Sequence, residues 1–260
     1  MFAIVGLAMA TTLSLSLLTA CDDDDDDDDD LTETVDDDDD DADDSSDDTD
    51  GDDSSTDDAD DSSDDTDGDS SSEATGTING YEYVDLGLSV KWATVNIGAT
   101  LPADYGNYYA WGETETKDEY TEDNSVTYGD SSFGDISGDA TYDAATANWG
   151  SSWRMPTEAE YQELKNDCTR TWTTQENSDG EAVNGYLVEG TNGNSIFLPA
   201  AGGRDGSSRG CAGTHGYYWS STPDASDGCC YAYILEFSSS YHGVYVNLRS
   251  GGRSVRPVSE

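Results

Sequence analysis

The amino-acid sequence predicts an α+β domain of short strands, two short helices and much loop, preceded by a disordered acidic stalk. The first observation is charge: 32 of the 58 acidic residues lie between Asp22 and Glu73, whereas all 10 basic residues lie after Gly76. The second is that all 6 tryptophans also lie after Gly76. The third is that β-like runs alternate there with Gly, Asn and Asp. We therefore expect one folding unit of about 185 residues.

The charge of the chain excludes two classes of partner. The formal net charge is −48. Because contacts to phosphate groups require a basic surface, we expect no nucleic-acid partner. Attachment to anionic lipid through a polybasic patch is excluded for the same reason. The charge also favours an extended stalk, since like charges along a chain repel one another.

Residues 1–20 predict a lipoprotein signal peptide. Phe2 to Leu18 form an apolar run that is close to the lower length limit for crossing a bilayer. The sequence Leu18-Thr19-Ala20-Cys21 resembles a bacterial lipoprotein cleavage site, after which Cys21 would carry the lipid. An ordinary signal peptide or a membrane anchor is the alternative. The acids after Cys21 resemble the export signals of Bacteroidetes lipoproteins, which implies a surface-exposed location on the outer membrane.

Residues 21–76 predict a disordered Asp/Ser-rich stalk. No apolar residue larger than Ala follows Val35 in it, so apolar burial cannot offset the entropy of ordering. Asp41–Gly51 recurs as Asp58–Gly68, and both copies end in Asp-Thr-Asp-Gly, which resembles part of an EF-hand loop. Neither copy has Asp at the first loop position and Glu at the twelfth. We expect no cofactor beyond a loose association of divalent cations with the stalk.

Residues 77–260 contain the predicted secondary structure. Runs rich in β-branched and aromatic residues predict strands at Tyr81–Val84, Tyr186–Val188, Ser195–Leu198, Tyr231–Phe237, Val244–Arg249 and Ser254–Val258. Asp143–Asn148 predicts a short helix. A second helix is predicted after Thr157, which forms a capping box with Glu160: each side chain bonds to the backbone amide of the other residue.

Several motifs of this part resemble the Fibrobacter succinogenes major paralogous domain. They are Tyr83–Thr94, Tyr105–Glu113, Ala147–Gly150, Trp153–Thr157, Leu198–Gly202, Tyr218–Thr222 and Ser254–Val258. The resemblance extends over Tyr81 to Val258. Arg154–Glu160 is also similar to a signature of the formylglycine-generating, sulfatase-modifying enzymes. Both resemblances imply a C-type-lectin-like fold.

The resemblance carries two expectations about single residues. It implies a structural role for Trp149, Trp153, Arg154, Thr157, Glu160 and Trp219. Members of the family often have Cys where this chain has Val95. If that Cys normally pairs with the one matching Cys168, then Cys168 is unpaired here.

Motifs for catalysis or metal binding are not recognisable. Nucleophilic catalysis needs Ser or Cys beside a His and an orienting acid, and neither His215 nor His242 lies in such a motif. The sulfatase-modifying enzymes use a spaced cysteine pair, whereas Cys229 and Cys230 are adjacent. We expect no catalytic residues, no metal site and no enzyme activity. In an oxidising exterior, a disulfide from Cys211 to Cys229 or Cys230 is more plausible than a metal site, and the pairing of the cysteines stays open.

The segment Gly203–Arg256 has an unusual composition. Among its residues, Lys, Gln, Met, Trp and Glu occur only as Trp219 and Glu236. Asn codons whose adenines are replaced, with the final pyrimidine kept, cannot encode these five amino acids. The segment therefore resembles the variable region of retroelement-diversified receptors, which lies at the C-terminus of a C-type-lectin-like domain. Drift in a Ser/Gly/Tyr-rich surface is the alternative, and Glu236 is expected to be invariant.

Strand alternation predicts which residues of this segment are exposed. The predicted core residues are Val244, Val246, Leu248, Tyr233, Leu235, Phe237 and Trp219. The predicted ligand-binding residues are Tyr231, Ile234, Tyr241, His242, Tyr245, Asn247 and Arg249. Tyr217 and Tyr218 could extend this surface, although an aromatic run is more often core.

These expectations combine into one functional hypothesis. The sequence predicts a lipid-anchored cell-surface protein that binds an unknown protein or glycan through its C-terminal face. One alternative is a structural envelope protein without a specific ligand. A catalytic relative of the sulfatase-modifying enzymes is a further alternative.

Overall fold

The computed structural model describes residues 74–226 and 228–260. The predictions for the signal peptide, for Cys21 and for the stalk up to residue 73 lie outside the described residues. The strands are β1 Gly76–Ile78, β2 Tyr81–Val84, β3 Lys91–Ala93, β4 Thr169–Glu176, β5 Ala182–Glu189, β6 Ser195–Pro199, β7 Gly203–Asp205, β8 Ser208–Gly210, β9 His215–Pro223, β10 Tyr231–Ser238, β11 His242–Leu248 and β12 Val258–Ser259. The helices are α1 Ala144–Trp149 and α2 Glu158–Asp167, with a 3₁₀ turn at Glu122–Asn124.

The described part is therefore mostly β, with short helices and long loops, as predicted. Its strands form antiparallel sheets in the orders β1-β2-β3-β12, β4-β5-β6, β11-β10-β9 and β7-β8. The first sheet brings the last strand of the chain beside β3, where Val258 pairs with Trp92. No helix of the described residues combines the length and apolar composition needed to cross a membrane.

Both predicted helices form, and polar caps explain where they begin. Asp143 is fully buried and accepts hydrogen bonds from the amides of Ala145 and Thr146 at 2.8 and 3.0 Å. Thr157 and Glu160 form the predicted capping box. Arg154 holds the Glu160 carboxylate through two hydrogen bonds, of 2.9 and 2.5 Å. The polar residues with a predicted structural role therefore fix the start of α2.

The core is rich in aromatic residues, and all three tryptophans with a predicted structural role are buried. Trp149 stacks on Tyr81 with 3.8 Å between ring centroids. The indole of Trp153 is fully buried and donates to the carbonyl of Ile78. Trp219 is also fully buried, and its indole donates to the carbonyl of Tyr109 at 2.8 Å. Buried apolar surface of this kind is the main term that stabilises a domain.

The predicted strand Ser254–Val258 is largely wrong. Only Val258 and Ser259 pair as a strand, and the residues before them cross between neighbouring segments. Arg253 forms a bridge with Tyr109, whereas the next residue, Ser254, forms one with Tyr218. Because the partner changes at each residue, no continuous ladder can form. Strands β4 and β9 are long and were not predicted from the sequence.

Two of the cysteine pairings that the sequence left open do not form. The structure contains no bond from Cys211 to Cys229 or Cys230, and the thiol of Cys230 is free. Cys168 is free and buried. Burial raises the pKa of the Cys168 thiol to about 11. This thiol is therefore protonated and behaves as a small apolar core residue.

Candidate functional site

The sheet β11-β10-β9 places alternate residues on opposite faces. On one face, Tyr218 of β9 pairs with Leu235 of β10. On the other face, their neighbours Tyr217 and Glu236 pair with each other. Glu236 also pairs with Gly243 of β11. On the first face, α2 and the sheet β4-β5-β6 contribute residues to one buried cluster with Tyr218, Leu235 and Phe237. We call this the covered face.

Part of the opposite face is accessible to solvent. We call its residues Tyr217, Glu236, Tyr241, Tyr245 and Asn247 the tyrosine surface. The hydroxyl of Tyr241 donates to Oε1 of Glu236 at 2.6 Å. The ring of Tyr245 lies over Gly243, where an added Cβ would approach the ring to 2.5 Å. Glycine at that position therefore lets Tyr245 lie along the strand.

The buried side chain of Arg253 contacts two residues of the tyrosine surface from the protein interior. The Arg253 guanidinium lies 5.5 Å from the centre of the Tyr217 ring. Its Nη2 donates to Oδ1 of Asn247 at 3.0 Å and to the carboxylate of Asp205 at 3.2 Å. Stacking and charge-assisted hydrogen bonds hold Arg253 in one orientation, and Arg253 in turn restrains the side chains above it.

The tyrosine hydroxyls of this surface are hydrogen-bond donors at neutral pH. Burial, with a further contribution from Glu236, raises the pKa of Tyr217 to about 12. The pKa of Tyr241 is also raised, first by burial and then by its hydrogen bond to Glu236. Both phenols therefore stay protonated. They offer an apolar ring and a polar tip to a ligand.

The structure contradicts two of the predicted ligand-binding residues. Ile234 is fully buried because, at its position, the face that it shares with its register partner Trp219 packs into a buried cluster that includes Trp111. Arg249 is only 1% exposed, since β11 ends at Leu248 and strand alternation no longer applies to the next residue. Its guanidinium lies 4.4 Å from the ring centre of Trp111. Arg249 is a core residue.

The other predicted ligand-binding residues divide between the two faces. Tyr241, Tyr245 and Asn247 lie on the tyrosine surface. His242 pairs with Phe237 and is near Tyr186, 6.2 Å between ring centroids, so it belongs to the edge of the covered face. Tyr231 pairs with Leu248 and is half-buried, and its carbonyl accepts a hydrogen bond from Arg249.

Sequence reasoning missed Glu236, Arg253 and Asp205 as parts of this site. It treated Tyr217 as a doubtful extension because it did not identify β9 as a strand. Alternation along His215–Pro223 would have placed Tyr217 opposite Tyr218. It also predicted Tyr233 as core, whereas the structure leaves Tyr233 half-buried.

An open cavity of about 370 Å³ lies beside Tyr241. Its walls come from the sheets β4-β5-β6 and β11-β10-β9 and from the β10–β11 turn. The lining residues are Trp172, Asn184, Gly213, Thr214, His215, Ser238, Ser239, Ser240 and Tyr241. The size is within the range of about 300–1,000 Å³ that is typical of small-molecule sites. Among the residues that the structure describes, no group of His, Cys, Asp and Glu is arranged to hold a metal ion.

Comparison with known proteins adds one finding. A family profile described as a domain of unknown function (DUF8237) matches residues 171–258. No curated protein and no solved structure matches the chain. The matched segment contains β5 to β11, most of β4, the tyrosine surface and the residues that line the cavity. The similarity is therefore concentrated in the C-terminal part of the domain.

Proposed function

We propose that this chain is a lipid-anchored cell-surface protein that binds a protein or glycan ligand through the tyrosine surface. The observation that carries the proposal is the exposure of Tyr241 and Tyr245, each 37% exposed. Among the described residues, they are the only aromatic side chains with so much exposed area, and they lie on the same face. Exposed rings that are grouped together are typical of binding surfaces.

The environment of these tyrosines also supports binding. Tyr241 is held by Glu236, and Tyr217 rests on Arg253, which is itself fixed by two further side chains. Restrained side chains lose less conformational entropy when a ligand binds. Tyrosine supplies large contact area at a low entropic cost, and Asn247 supplies adaptable hydrogen bonds.

The fold and the variable segment belong to the same proposal. We propose a C-type-lectin-like fold, supported by short strands, two short helices and buried aromatic motifs in the order that the resemblance implies. Every residue of the tyrosine surface lies in Gly203–Arg256. If a retroelement diversifies this segment, we expect changes at Tyr217, Tyr241, Tyr245 and Asn247. Buried positions such as Trp219, and Glu236, would stay constant.

The anchor is proposed from the sequence. Cleavage before Cys21 and lipidation of its thiol would attach the chain to the outer membrane, with the acidic stalk as a spacer. Wild-type protein should partition into the detergent phase, and a Cys21→Ser variant should remain in the aqueous phase. Equal partitioning of the two proteins would contradict lipidation.

Binding is tested with the full chain on an array of cell-surface glycans and extracellular proteins. Tyr241→Ala and Tyr245→Ala should each weaken binding to any ligand found by tenfold or more, because each removes a ring from the surface. Val126→Ala is the matched control, since Val126 is 64% exposed and lies outside Gly203–Arg256. Ligands that bind equally well to all three variants would contradict the proposed surface. An array without any ligand would favour a structural envelope protein.

A further inference from the structure

We propose that the cavity beside Tyr241 is a subsite for one neutral sugar unit of a glycan. The inference rests on the proposed function, since it assigns the tyrosine surface and the cavity to one extended ligand. Tyr241 connects them: its hydroxyl is bonded to Glu236 on the tyrosine surface, and its side chain also lines the cavity. A glycan chain that crosses the surface could therefore place a terminal unit in the cavity.

The lining of the cavity favours an uncharged ligand. Among the residues that the structure describes, the lining contains no Asp, Glu, Lys or Arg. Its polar side chains are hydroxyls, one amide and one imidazole. Burying a charged group without a partner costs several kcal/mol in rough terms, so this lining disfavours anionic and cationic ligands. Hydroxyl groups of a sugar match the donors and acceptors that are present.

An aromatic wall provides the apolar surface that a sugar ring requires. Trp172 packs edge-on against Tyr186, with 5.4 Å between ring centroids and planes at 86°. It contacts Phe237 in a similar way at 6.4 Å. These contacts fix the plane of the indole, which is half-buried. A fixed and partly exposed aromatic face can pack against the apolar C–H groups of a sugar ring.

The polar wall is ordered before a ligand arrives. Nδ2 of Asn184 donates to the carbonyl of Gly213 at 3.0 Å, which orients its carbonyl oxygen. The hydroxyl of Ser238 contacts that of Ser240 at 3.2 Å and accepts from the Ser240 amide. The hydroxyl of Tyr186 donates to the carbonyl of Ser238 at 2.8 Å. Such preorganisation reduces the entropy lost on binding.

The size of the cavity agrees with a small occupant. A volume of about 370 Å³ is near the lower end of the range of about 300–1,000 Å³ that small-molecule sites have. This space is sufficient for a monosaccharide or disaccharide and too small for a folded partner. Larger parts of the ligand would remain on the tyrosine surface outside the cavity.

Tryptophan fluorescence can test this subsite because the other tryptophans are shielded. Trp92, Trp111, Trp153 and Trp219 are fully buried and Trp149 is 6% exposed, so acrylamide quenching of the folded chain reports mainly on Trp172. The probes are glucose, galactose, mannose and N-acetylglucosamine, with their disaccharides. Glucuronic acid, N-acetylneuraminic acid and glycylglycine are the comparison probes. We expect at least one neutral sugar to reduce quenching at least twofold, and the charged probes to have no effect.

Variants connect the fluorescence signal to the cavity. In isothermal titration with the protecting sugar, Trp172→Ala should weaken binding at least tenfold, and Trp172→Phe should weaken it less because an aromatic ring remains. Val126→Ala is the control, since Val126 is 64% exposed and does not line the cavity, and it should leave sugar affinity unchanged. Circular dichroism of each variant verifies folding.

The outcomes separate this inference from the proposed function. If no neutral sugar protects Trp172 while an array ligand still depends on Tyr245, the subsite is wrong and the tyrosine surface stands. If a sugar protects Trp172 and the array ligand is indifferent to Tyr245, the cavity binds sugar without the proposed surface. Equal protection by sugar acids or by glycylglycine would overturn the assignment to a neutral sugar.

Discussion

Tyr217 and Tyr218 are adjacent in the sequence and have opposite environments. Tyr218 points into the covered face, is fully buried and donates its hydroxyl to the carbonyl of Pro199 at 2.7 Å. Tyr217 lies on the tyrosine surface, half-buried above Arg253. The same side chain therefore stabilises the fold at one position and is available to a ligand at the next. What differs is the layer that packs on each face of the sheet.

The covered face is held by a buried polar network as well as by apolar contacts. Nδ2 of Asn96 donates to the hydroxyl of Tyr218 at 3.4 Å, and Oδ1 accepts from Nε of Arg256 at 2.8 Å. Arg256 is fully buried, and no carboxylate of the described residues bonds to it. Burial lowers its pKa to about 10, so it stays charged at neutral pH. Its guanidinium donates to Oδ1 of Asn96 and to three backbone carbonyls, and Tyr218 also favours the charged form.

The largest expected effect comes from removing this buried cation. Arg256→Met leaves Oδ1 of Asn96 and the carbonyls of Ala93, Thr94 and Phe197 without their donor. At about 1 kcal/mol or more for each unsatisfied group, unfolding free energy should fall by about 4 kcal/mol. Urea denaturation measures the change.

Arg209→Met is the matched control for this substitution, because Arg209 is exposed and stacks on Tyr105 at the surface. Its effect should stay within about 1 kcal/mol. Similar losses for the two variants would contradict the contrast between the covered face and the surface.

A smaller loss of unfolding free energy is expected when one buried hydroxyl group is removed. Tyr218→Phe removes the buried hydroxyl group that bonds to the carbonyl of Pro199 and to Nδ2 of Asn96. Unfolding free energy should fall by about 1–3 kcal/mol. Tyr217→Phe makes the same chemical change on the tyrosine surface and should alter the free energy of unfolding by about 0.5 kcal/mol or less. Thermal or urea denaturation of both variants tests the comparison directly, and a larger loss for Tyr217→Phe would reverse it.

The smallest expected effect concerns His242 at the edge of the covered face. Burial and the nearby cations Arg170 and Lys165 lower the pKa of His242 below its usual value of 6.5. The unfolded chain then binds the proton more readily, so this residue should destabilise the fold as the pH falls below about 6.5. His242→Gln removes this contribution.

The measurement is the urea midpoint of wild type and His242→Gln at pH 5 and pH 7.5. Wild type should lose more stability than the variant between these values, and the titration of the acidic residues cancels in the difference. Equal losses would show that His242 has the same pKa in both states.

Local signals in the sequence were sufficient for much of the fold. The Asp143 cap and the Thr157 capping box predicted both helices, because their partners lie within a few residues. Period-two patterns predicted β10 and β11. The same patterns failed for Ile234, since the part of the opposite face around it packs into a second buried cluster that includes Trp219. For the site, the sequence predicted Tyr241, Tyr245 and Asn247, but not their contacts with Glu236 and Arg253.

The sequence by itself determined the composition of the domain, the helix starts, the main strands and the segment that contains the candidate site. Only the tertiary structure decided the roles of the three arginines near the C-terminus. Arg249, Arg253 and Arg256 have the composition of an exposed basic patch, and all three are at most 1% exposed. Their partners are backbone carbonyls and side chains as much as 163 residues away in the chain. A buried charge requires such distant donors and acceptors to converge, and no local pattern in a sequence records that convergence.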